Sequence, residues 1–440
     1  RHTRCSRDWS SDVCSSDLLS ILNLLIVINL KNMNNEFIKT HIINDKCLAC
    51  DSSDLRTILD LSDQPLANNY HNGVKQETYP LKLNLCSHCQ HLQLSHTVNP
   101  DIMFKNYLYV SGTSQTLKDY FDQFAAKTLE YVPHATSILD IACNDATQLD
   151  SYQKLGLTTF GIDPAENLHV KASIKGHDII CDYFNTETVN LFEGRKFSII
   201  TAQNVFAHNR YTVDFLNACK QVMHDTSVLF IQTSQANMVL NNEFDTIYHE
   251  HLSFFNTKSM KMLVERCGLV LSDVFKTDIH GTSYVFVITK TDFLGKTGTQ
   301  EMLKFEEEKG LYDILTYPDY ASNCYKTTFE LKNFLNDYKH KGYKLIGYGA
   351  AAKGNTLLNF GKIKLDYIID DNPLKQNLLT PGMDIPIFGS EKLLELESND
   401  KVVFIPLAWN FFTEIQSKIK VKRNNNNDIF VKYFPILQLV

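Results

Sequence analysis

At 440 residues the chain is about three times the ~150-residue length of an average domain, which predicts several domains. Its 44% hydrophobic and 21% charged content is that of a soluble globular protein and excludes a disordered one. A net charge of −7 without any dense Lys/Arg stripe excludes the electrostatic footprint of a nucleic-acid binder and of a polybasic membrane anchor.

In chain order, residues 1–18 read as translated sequencing-adapter sequence. The apolar run that follows, LLSILNLLIVINL (18–30), is shorter than the ~18–20 residues that span a bilayer. No small-residue cleavage site follows it, so residues 1–32 are expected to be a non-native leader and the natural chain to begin at Met33.

Two CxxC pairs come next, Cys47/Cys50 and Cys86/Cys89, with 35 residues between them. The remaining thiols Cys143, Cys181, Cys219, Cys267 and Cys324 are scattered singly, a usage that fits a metal site in a reducing cytoplasm better than disulfides. Zn²⁺ favours four thiolates in a tetrahedron, and a tight CxxC turn offers two sulfurs to one ion. A closed, structural zinc site is therefore expected, with a redox CxxC as the competing reading. His88, His91 and His96 are expected at the surface or on substrate, not as ligands.

Leu117, Tyr120, Phe121, Phe124, Ala125, Thr128 and Val132 recur at three and four residues behind a Thr113 or Ser114 cap, which predicts a helix ended by Pro133. Apolar strands SILDIAC (137–143), TTFGID (158–163), KFSIITA (196–202) and SVLFIQT (227–233) then alternate with helical stretches. Continuous apolar strands between helices predict a doubly wound α/β domain with a parallel sheet.

Ligands of such sheets sit beyond the carboxyl ends of the strands. The first strand ends in DIACNDA (140–146), and Asp163 ends the second, 23 residues after Asp140 and placed to accept from ribose hydroxyls. The three glycines of GxGxxG, which seat a pyrophosphate, are missing. Asn144 and Asp145 instead make an acidic loop suited to a cationic, amino-acid-bearing ligand, which favours S-adenosylmethionine over NAD. Asp140, Cys143, Asn144, Asp145 and Asp163 are the candidate cofactor residues, with Gln203 and Asn204 of AQNVFAHN; His208 of the same segment should line the pocket.

The densest chemistry lies in FDTIYHEHLSFF. In an extended segment Tyr248 and Glu250 would face one way, His249 and His251 the other. The run is not HExxH and lacks a placed third metal ligand, and a buried polar patch is the bland alternative. Acid–base work is preferred, because histidine titrates near neutral pH.

Residues 294–340 read as a polar helical connector broken at Tyr-Pro-Asp-Tyr. A second α/β pattern follows, with strands KLIGYGA, DYIIDD, IPIFGS and VVFIPLAW. GYGAAAKG (347–354) with Asp370 is a loose dinucleotide fingerprint, in which backbone N–H groups and Lys353 could hold a phosphate. A purely structural Rossmann-like half is the alternative.

Taken together, CLAC/CSHC, NDA with GIDPAENL, AQNVFAHN, DTIYHEHLSFF, HGTSY, GYGAAAKGNTLLNF, DDNPLKQ, PGMDIPI and LAWNF fall in a telling order. Over roughly residues 45–440 the chain resembles the sugar C-methyltransferases that act on nucleotide-linked 4-keto-deoxyhexoses. The resemblance implies a zinc-binding domain (33–106), a class I methyltransferase domain using S-adenosylmethionine (107–292) and a C-terminal Rossmann-like domain that helps hold the nucleotide sugar (293–440). It implies His251 as the base, assisted by Tyr248 and Glu250, with His208 at the active centre. Tyr107 or Tyr109 of YLYVSG, with His249, Lys353 and Asn355, would approach the substrate. No nucleic-acid or membrane partner is expected, and the compartment is the cytoplasm. The chain departs from the family's GSNDG-like loop at Ala142, Cys143 and Ala146, and its HGGS appears as HGTSYVF, which leaves the sugar open. Two other readings stand beside this one: an NAD-dependent oxidoreductase or epimerase using the C-terminal fingerprint, and a non-catalytic zinc-ribbon module.

Overall fold

The structure, a computed structural model, describes residues 40–105, 109–234, 237–423, 425 and 427–440. The expected leader 1–32, Met33 and Tyr107 lie outside the described residues. Ile43–Val440 forms one compact unit, and the architecture below is its own.

It opens with an antiparallel meander of β1 (Leu55–Pro65), β2 (Thr78–Cys86) and β3 (Leu92–Leu94), which buries Leu59, Leu61, Leu81, Leu83 and Leu85. Helix α1 (Gln115–Tyr131) follows where the apolar spacing placed it; Ser114 Oγ caps it by accepting from the Leu117 N–H at 3.3 Å. The doubly wound domain then runs β4 (Ser137–Ile141), α2 (Thr147–Lys154), β5 (Thr158–Ile162), α3 (Glu166–Ser173), β6 (Asp178–Ile180), β7 (Phe197–Gln203), α4 (Thr212–Gln221) and β8 (Met223–Thr233).

β9 (Ser253–Phe254) leaves this sheet and joins the meander instead, pairing antiparallel with β3 so that Ser253 lies opposite Gln93 and Phe254 opposite Leu92. Helix α5 (Thr257–Arg266) follows, and the hairpin β10 (Val270–Thr277) and β11 (Ser283–Thr289) completes a seven-stranded sheet in the order β10–β11–β8–β7–β4–β5–β6. β4 to β8 are parallel and β11 is antiparallel to both neighbours. The strand order reverses between β4 and β7, which opens a crevice at their carboxyl ends. Both faces of these strands are covered: Ile138, Leu139, Ile199, Ile200, Leu229 and Phe230 are fully buried, each contributing roughly 1.5–3 kcal/mol.

The connector is α6 (Gly298–Glu308) and α7 (Thr316–His340). The break expected at Tyr317–Pro318–Asp319–Tyr320 does not occur. Pro318 falls in the first turn of α7, where its missing N–H has no helical acceptor to lose, and the chain turns at 309–315 instead. Buried Glu306 of α6 accepts from the Thr257 N–H (3.0 Å) and Thr257 Oγ1 (2.9 Å) at the start of α5, which fixes the chain just after β9.

The C-terminal sheet contains β12 (Lys344–Tyr348), β13 (Tyr367–Ile369), β14 (Ile387–Phe388), β15 (Val402–Pro406), β16 (Ile429–Lys432) and β17 (Gln438–Leu439). Its order is β14–β13–β12–β15–β16–β17, parallel except for the last pair. Helix α8 (Ala352–Gly361) follows β12 and α9 (Phe412–Arg423) follows β15. Among the described residues no helix is long and apolar enough to cross a membrane.

Candidate active site

The two CxxC turns meet. Cys47 Sγ lies 3.6 Å from Cys89 Sγ and Cys50 Sγ 3.6 Å from Cys86 Sγ, with all four sulfurs within 4.8 Å of one another. Four sulfurs at ~2.3 Å from Zn²⁺ stand about 3.8 Å apart, so the cage fits the ion and closes its coordination. His91 is not at the surface as expected. It is buried, with Nε2 3.2 Å from Ser253 Oγ and its ring 4.6 Å from Phe255, so it braces the zinc knuckle against β9.

At the crevice, the loop after β4 is bound by the end of β5. The Ala142 N–H donates to Ile162 O at 2.7 Å. Asp163 accepts from the Asn144 N–H through Oδ2 and from the Ala165 N–H through Oδ1, each at 2.8 Å. Ala142, Asn144 and Ala146 all take left-handed conformations (φ 59°, 54° and 60°). The two alanines where the family pattern has glycine therefore carry a Cβ in the backbone region that favours glycine. A carboxylate offers about four lone-pair sites, and two of those of Asp163 are engaged, so ribose hydroxyls fit beside it. Burial raises the carboxyl of Asp163 above its ordinary range, against the pull of those two N–H bonds.

Several side chains expected at the cofactor are occupied otherwise. Asp140 is buried below the crevice, its Oδ1 accepting from Thr201 Oγ1 (2.7 Å) and Gln148 Nε2 (2.9 Å), and burial pushes its carboxyl up to about 7. Cys143 turns into the core, its Sγ packed where a Cβ on Gly161 would stand. The Gln203 amide donates to Gln148 Oε1 and closes the same floor. Asn204, also left-handed, ends β7 with its N–H on Gln232 O at 2.9 Å. Asn144 and Asp145 do not form an open acidic wall. Asn144 Oδ1 accepts from the Ser111 N–H (3.0 Å), its Nδ2 donates to Tyr109 O (3.1 Å), and Asp145 Oδ2 accepts from the Gly112 N–H (3.1 Å).

The Tyr-His-Glu-His run is a turn, not an extended strand: the His251 N–H donates to Tyr248 O at 2.9 Å. Its side chains consequently do not alternate. Tyr248 and His251 come to the same side, ring centroids 4.0 Å apart. His251 Nδ1 lies 2.8 Å from Thr246 O, and a carbonyl can only accept, so Nδ1 carries the proton and Nε2 is the basic nitrogen. His208 stacks on His251 at 5.2 Å and on Phe104 at 5.6 Å. Its Nε2 is buried without a hydrogen-bond partner among the described residues, and burial pushes the ring down to about 4, so it is neutral. Burial, with Glu250 as the leading charge, holds the Tyr248 phenol well above its ordinary value, so it stays protonated; Asp245, Tyr109 and Tyr70 act in the same direction.

The turn is anchored on both sides. The Leu252 N–H donates to Ala207 O (2.8 Å) beside His208, and Leu252 O accepts from the Leu94 N–H (2.9 Å) of β3. His249 points away from the crevice, its Nε2 3.2 Å from Tyr79 O in the meander, which corrects its expected place on substrate. Glu250 Oε1 accepts from Asn68 Nδ2 at 2.6 Å.

Asn68 belongs to the turn-rich stretch between the CxxC pairs, and that stretch also reaches the C-terminal domain. Asn355, expected on substrate, is buried and donates to Ala67 O (2.7 Å) and Tyr70 OH (3.2 Å). Ala350 O accepts from both Tyr70 OH and Lys375 Nζ, so the mouth of the C-terminal fingerprint is filled by the chain itself. Lys353, expected on phosphate, sets its ammonium 4.8 Å over the Trp409 ring, near the buried carboxyls of Glu243 and Asp245. Trp409 Nε1 donates to Asp245 Oδ2 at 2.8 Å. Asn68, Tyr70, Asp245, Lys375 and Trp409 escaped sequence reasoning because they act across seams that no local spacing marks.

A doubly wound sheet with an acid at the end of its second strand is the framework of class I S-adenosylmethionine-dependent methyltransferases. Three family models cover the chain in order: "Putative zinc binding domain" over 47–104, "Methyltransferase domain" over 109–274 and "C-methyltransferase C-terminal domain" over 278–435. Among curated proteins the chain is similar to the C-methyltransferase NovU of Streptomyces niveus, 26% identical over 84% of this chain and 91% of that protein. It is also 26% identical to the ubiquinone biosynthesis O-methyltransferase of Rhodopseudomonas palustris (strain BisA53), over 23% of this chain and 40% of that protein. Solved structures to which the chain is similar include magnesium protoporphyrin IX methyltransferase of Synechocystis PCC 6803 with bound SAM (10% identity, TM-score 0.31, 40% of this chain and 79% of that one). A SAM-dependent methyltransferase of Archaeoglobus fulgidus is similar at 13% identity and TM-score 0.33, over 39% of this chain and 94% of that one. The chain is thus a methyltransferase with a zinc-binding region and the C-terminal domain type of C-methyltransferases.

Proposed function

We propose that the enzyme methylates carbon on a nucleotide-activated keto-deoxysugar, with His251 as the base. The observation that carries this reading is the fixed tautomer of His251, its Nδ1 held 2.8 Å from Thr246 O with the tilted Tyr248 ring 4.0 Å away. A carbonyl acidifies the neighbouring C–H. His251 Nε2 takes that proton, and the bonding pair becomes an enolate. The Tyr248 phenol, protonated by its burial, donates to the developing oxyanion, a preorganised contact worth about 2.7–4 kcal/mol in comparable sites. Neutral His208 orients the carbonyl through its buried Nε2. S-adenosylmethionine, when bound, supplies the electrophilic methyl carbon that this nucleophile takes.

The likeness to a protein named as a C-methyltransferase supports carbon as the methylated atom, and the motif order supports the keto-sugar acceptor. The NAD reading is weakened by Tyr70 and Lys375, which fill the mouth of the C-terminal fingerprint. The domain limits 33–106, 107–292 and 293–440 and a reducing, cytoplasmic setting belong to the same reading; the nine described cysteines are free thiols. Incubation with isotopically labelled S-adenosylmethionine and a panel of nucleotide keto-sugars, read by mass spectrometry and ¹³C NMR, tests it. One product with the label on a ring carbon is expected; label on oxygen or nitrogen overturns it.

A further inference from the structure

Residues 109–113, which end in the single 3-10 turn Ser111–Thr113, form a short strap pinned to the cofactor loop. Three hydrogen bonds hold it: Ser111 N–H to Asn144 Oδ1 (3.0 Å), Asn144 Nδ2 to Tyr109 O (3.1 Å) and Gly112 N–H to Asp145 Oδ2 (3.1 Å). The fit is close, because a Cβ on Gly112 would stand 2.4 Å from Asp145 Oδ2 and 2.6 Å from Thr147 Oγ1. Thr147 Oγ1 in turn donates to Asp145 Oδ1 at 2.7 Å, so the Asp145 carboxylate has little freedom to retreat. On its other side the loop is held by Asp163, the same carboxylate that stands where ribose hydroxyls bind, through the Asn144 N–H at 2.8 Å.

We infer that Asn144 and Asp145 are positioning residues that latch the Tyr109 strap to the cofactor loop, so that filling the donor crevice fixes Tyr109, the residue expected on substrate. A ligand on Asp163 acts on the residue whose side chain holds Ser111 and Tyr109, and Asp145 carries the same restraint to Gly112. Coupling of this kind is reciprocal: an ordered strap favours donor binding as much as the donor orders the strap. The purpose given to Tyr109 rests on the acceptor site proposed above, whereas the latch is testable with no acceptor present.

Amide hydrogen exchange of the full-length protein, with and without S-adenosylmethionine, reads the latch directly. In the wild type the donor is expected to slow exchange at Ser111 and Gly112 by at least about tenfold. In Gly112→Ala that protection is lost while calorimetry still detects donor binding. Asp145→Ala loses it too, and Asp145→Asn, which keeps an acceptor oxygen, restores most of it, a rescue that general destabilisation would not give. Unchanged exchange at both amides of the wild type, or protection that survives in both Gly112→Ala and Asp145→Ala, overturns the inference. The wild-type comparison decides the matter even where a variant fails to fold. Failure to methylate any keto-sugar would count against the proposed acceptor and leave this result standing.

Discussion

The loops that follow the first strands of the two parallel sheets are built alike. After β4 the Ala142 N–H donates to Ile162 O at 2.7 Å, and Asp163 accepts from the Asn144 N–H at 2.8 Å. After β12 the Gly349 N–H donates to Ile369 O at 2.7 Å, and Asp370 accepts from the Ala350 N–H at 2.6 Å. In each case the acid at the end of the second strand ties down the turn after the first. The difference lies across the mouth. His208, Tyr248 and His251 gather beyond β7, the strand beside β4, whereas the second loop is capped by Tyr70 and Lys375, both hydrogen-bonded to Ala350 O. Backbone geometry marks where a ligand can sit, and the groups opposite decide whether one does.

The strongest way to break this contrast is to remove what holds the Tyr248–His251 turn in place. β9, two residues beyond His251, pairs with β3 of the zinc-bearing meander, so chelation of zinc or Cys86→Ser is expected to unfold the meander and abolish methyl transfer. Structural zinc in small domains contributes on the order of 10–16 kcal/mol of apparent binding free energy, far more than one lobe can lose. Loss of zinc with full activity and an unchanged melting curve would contradict it.

Next in size, Asp163→Asn should weaken S-adenosylmethionine binding by roughly 10–100-fold, the scale of losing hydrogen bonds to a charged group. Asp370→Asn should leave that affinity unchanged and lower only the melting temperature. Calorimetry on the pair sharpens the comparison, and equal losses of affinity would erase it.

A pH test follows from His208. Burial lowers its folded-state pKa to about 4, below the ~6.5 of an unfolded histidine, so the unfolded chain binds the extra proton between those values. Its contribution to stability is therefore lost as pH falls from about 6.5 towards 4. His208→Gln should gain about 1–2 kcal/mol relative to wild type at pH 5 compared with pH 7, measured by denaturant titration at both. Asp140, raised to about 7 by burial, works in the opposite direction in wild type and variant alike and cancels in the difference.

The smallest effects come from the matched turn positions. Ala142 is left-handed at φ 59°, so Ala142→Gly should stabilise by about 0.5–1 kcal/mol. Gly349 has φ +86° and would bring a Cβ 3.0 Å from the Ala408 Cβ, so Gly349→Ala should destabilise by about 1–3 kcal/mol. Urea midpoints that move in the same direction for both would show that the two turns are not equivalent.

The sheets, the zinc cage and the helix capped by Ser114 were legible in the sequence because each rests on local spacing: apolar runs, CxxC pairs, three- and four-residue periodicity. The catalytic segment was legible in composition and not in shape. An extended reading separated Tyr248 from His251, whereas the turn closed by the His251 N–H brings them together. The partners of Asn144, Asp145, Lys353 and Asn355 were not legible for a different reason. Each side chain answers to a partner remote in sequence, Gly112, Trp409 or Tyr70 among them, and no window of residues displays that partner.

The central claim is that His251 takes a proton from carbon. The most direct measurement is deuterium uptake at the carbon beside the carbonyl of the still unmethylated keto-sugar substrate, in D₂O with S-adenosylhomocysteine replacing the donor. Wild-type enzyme is expected to exchange that hydrogen and His251→Gln to leave it in place; equal exchange by both proteins would contradict the account.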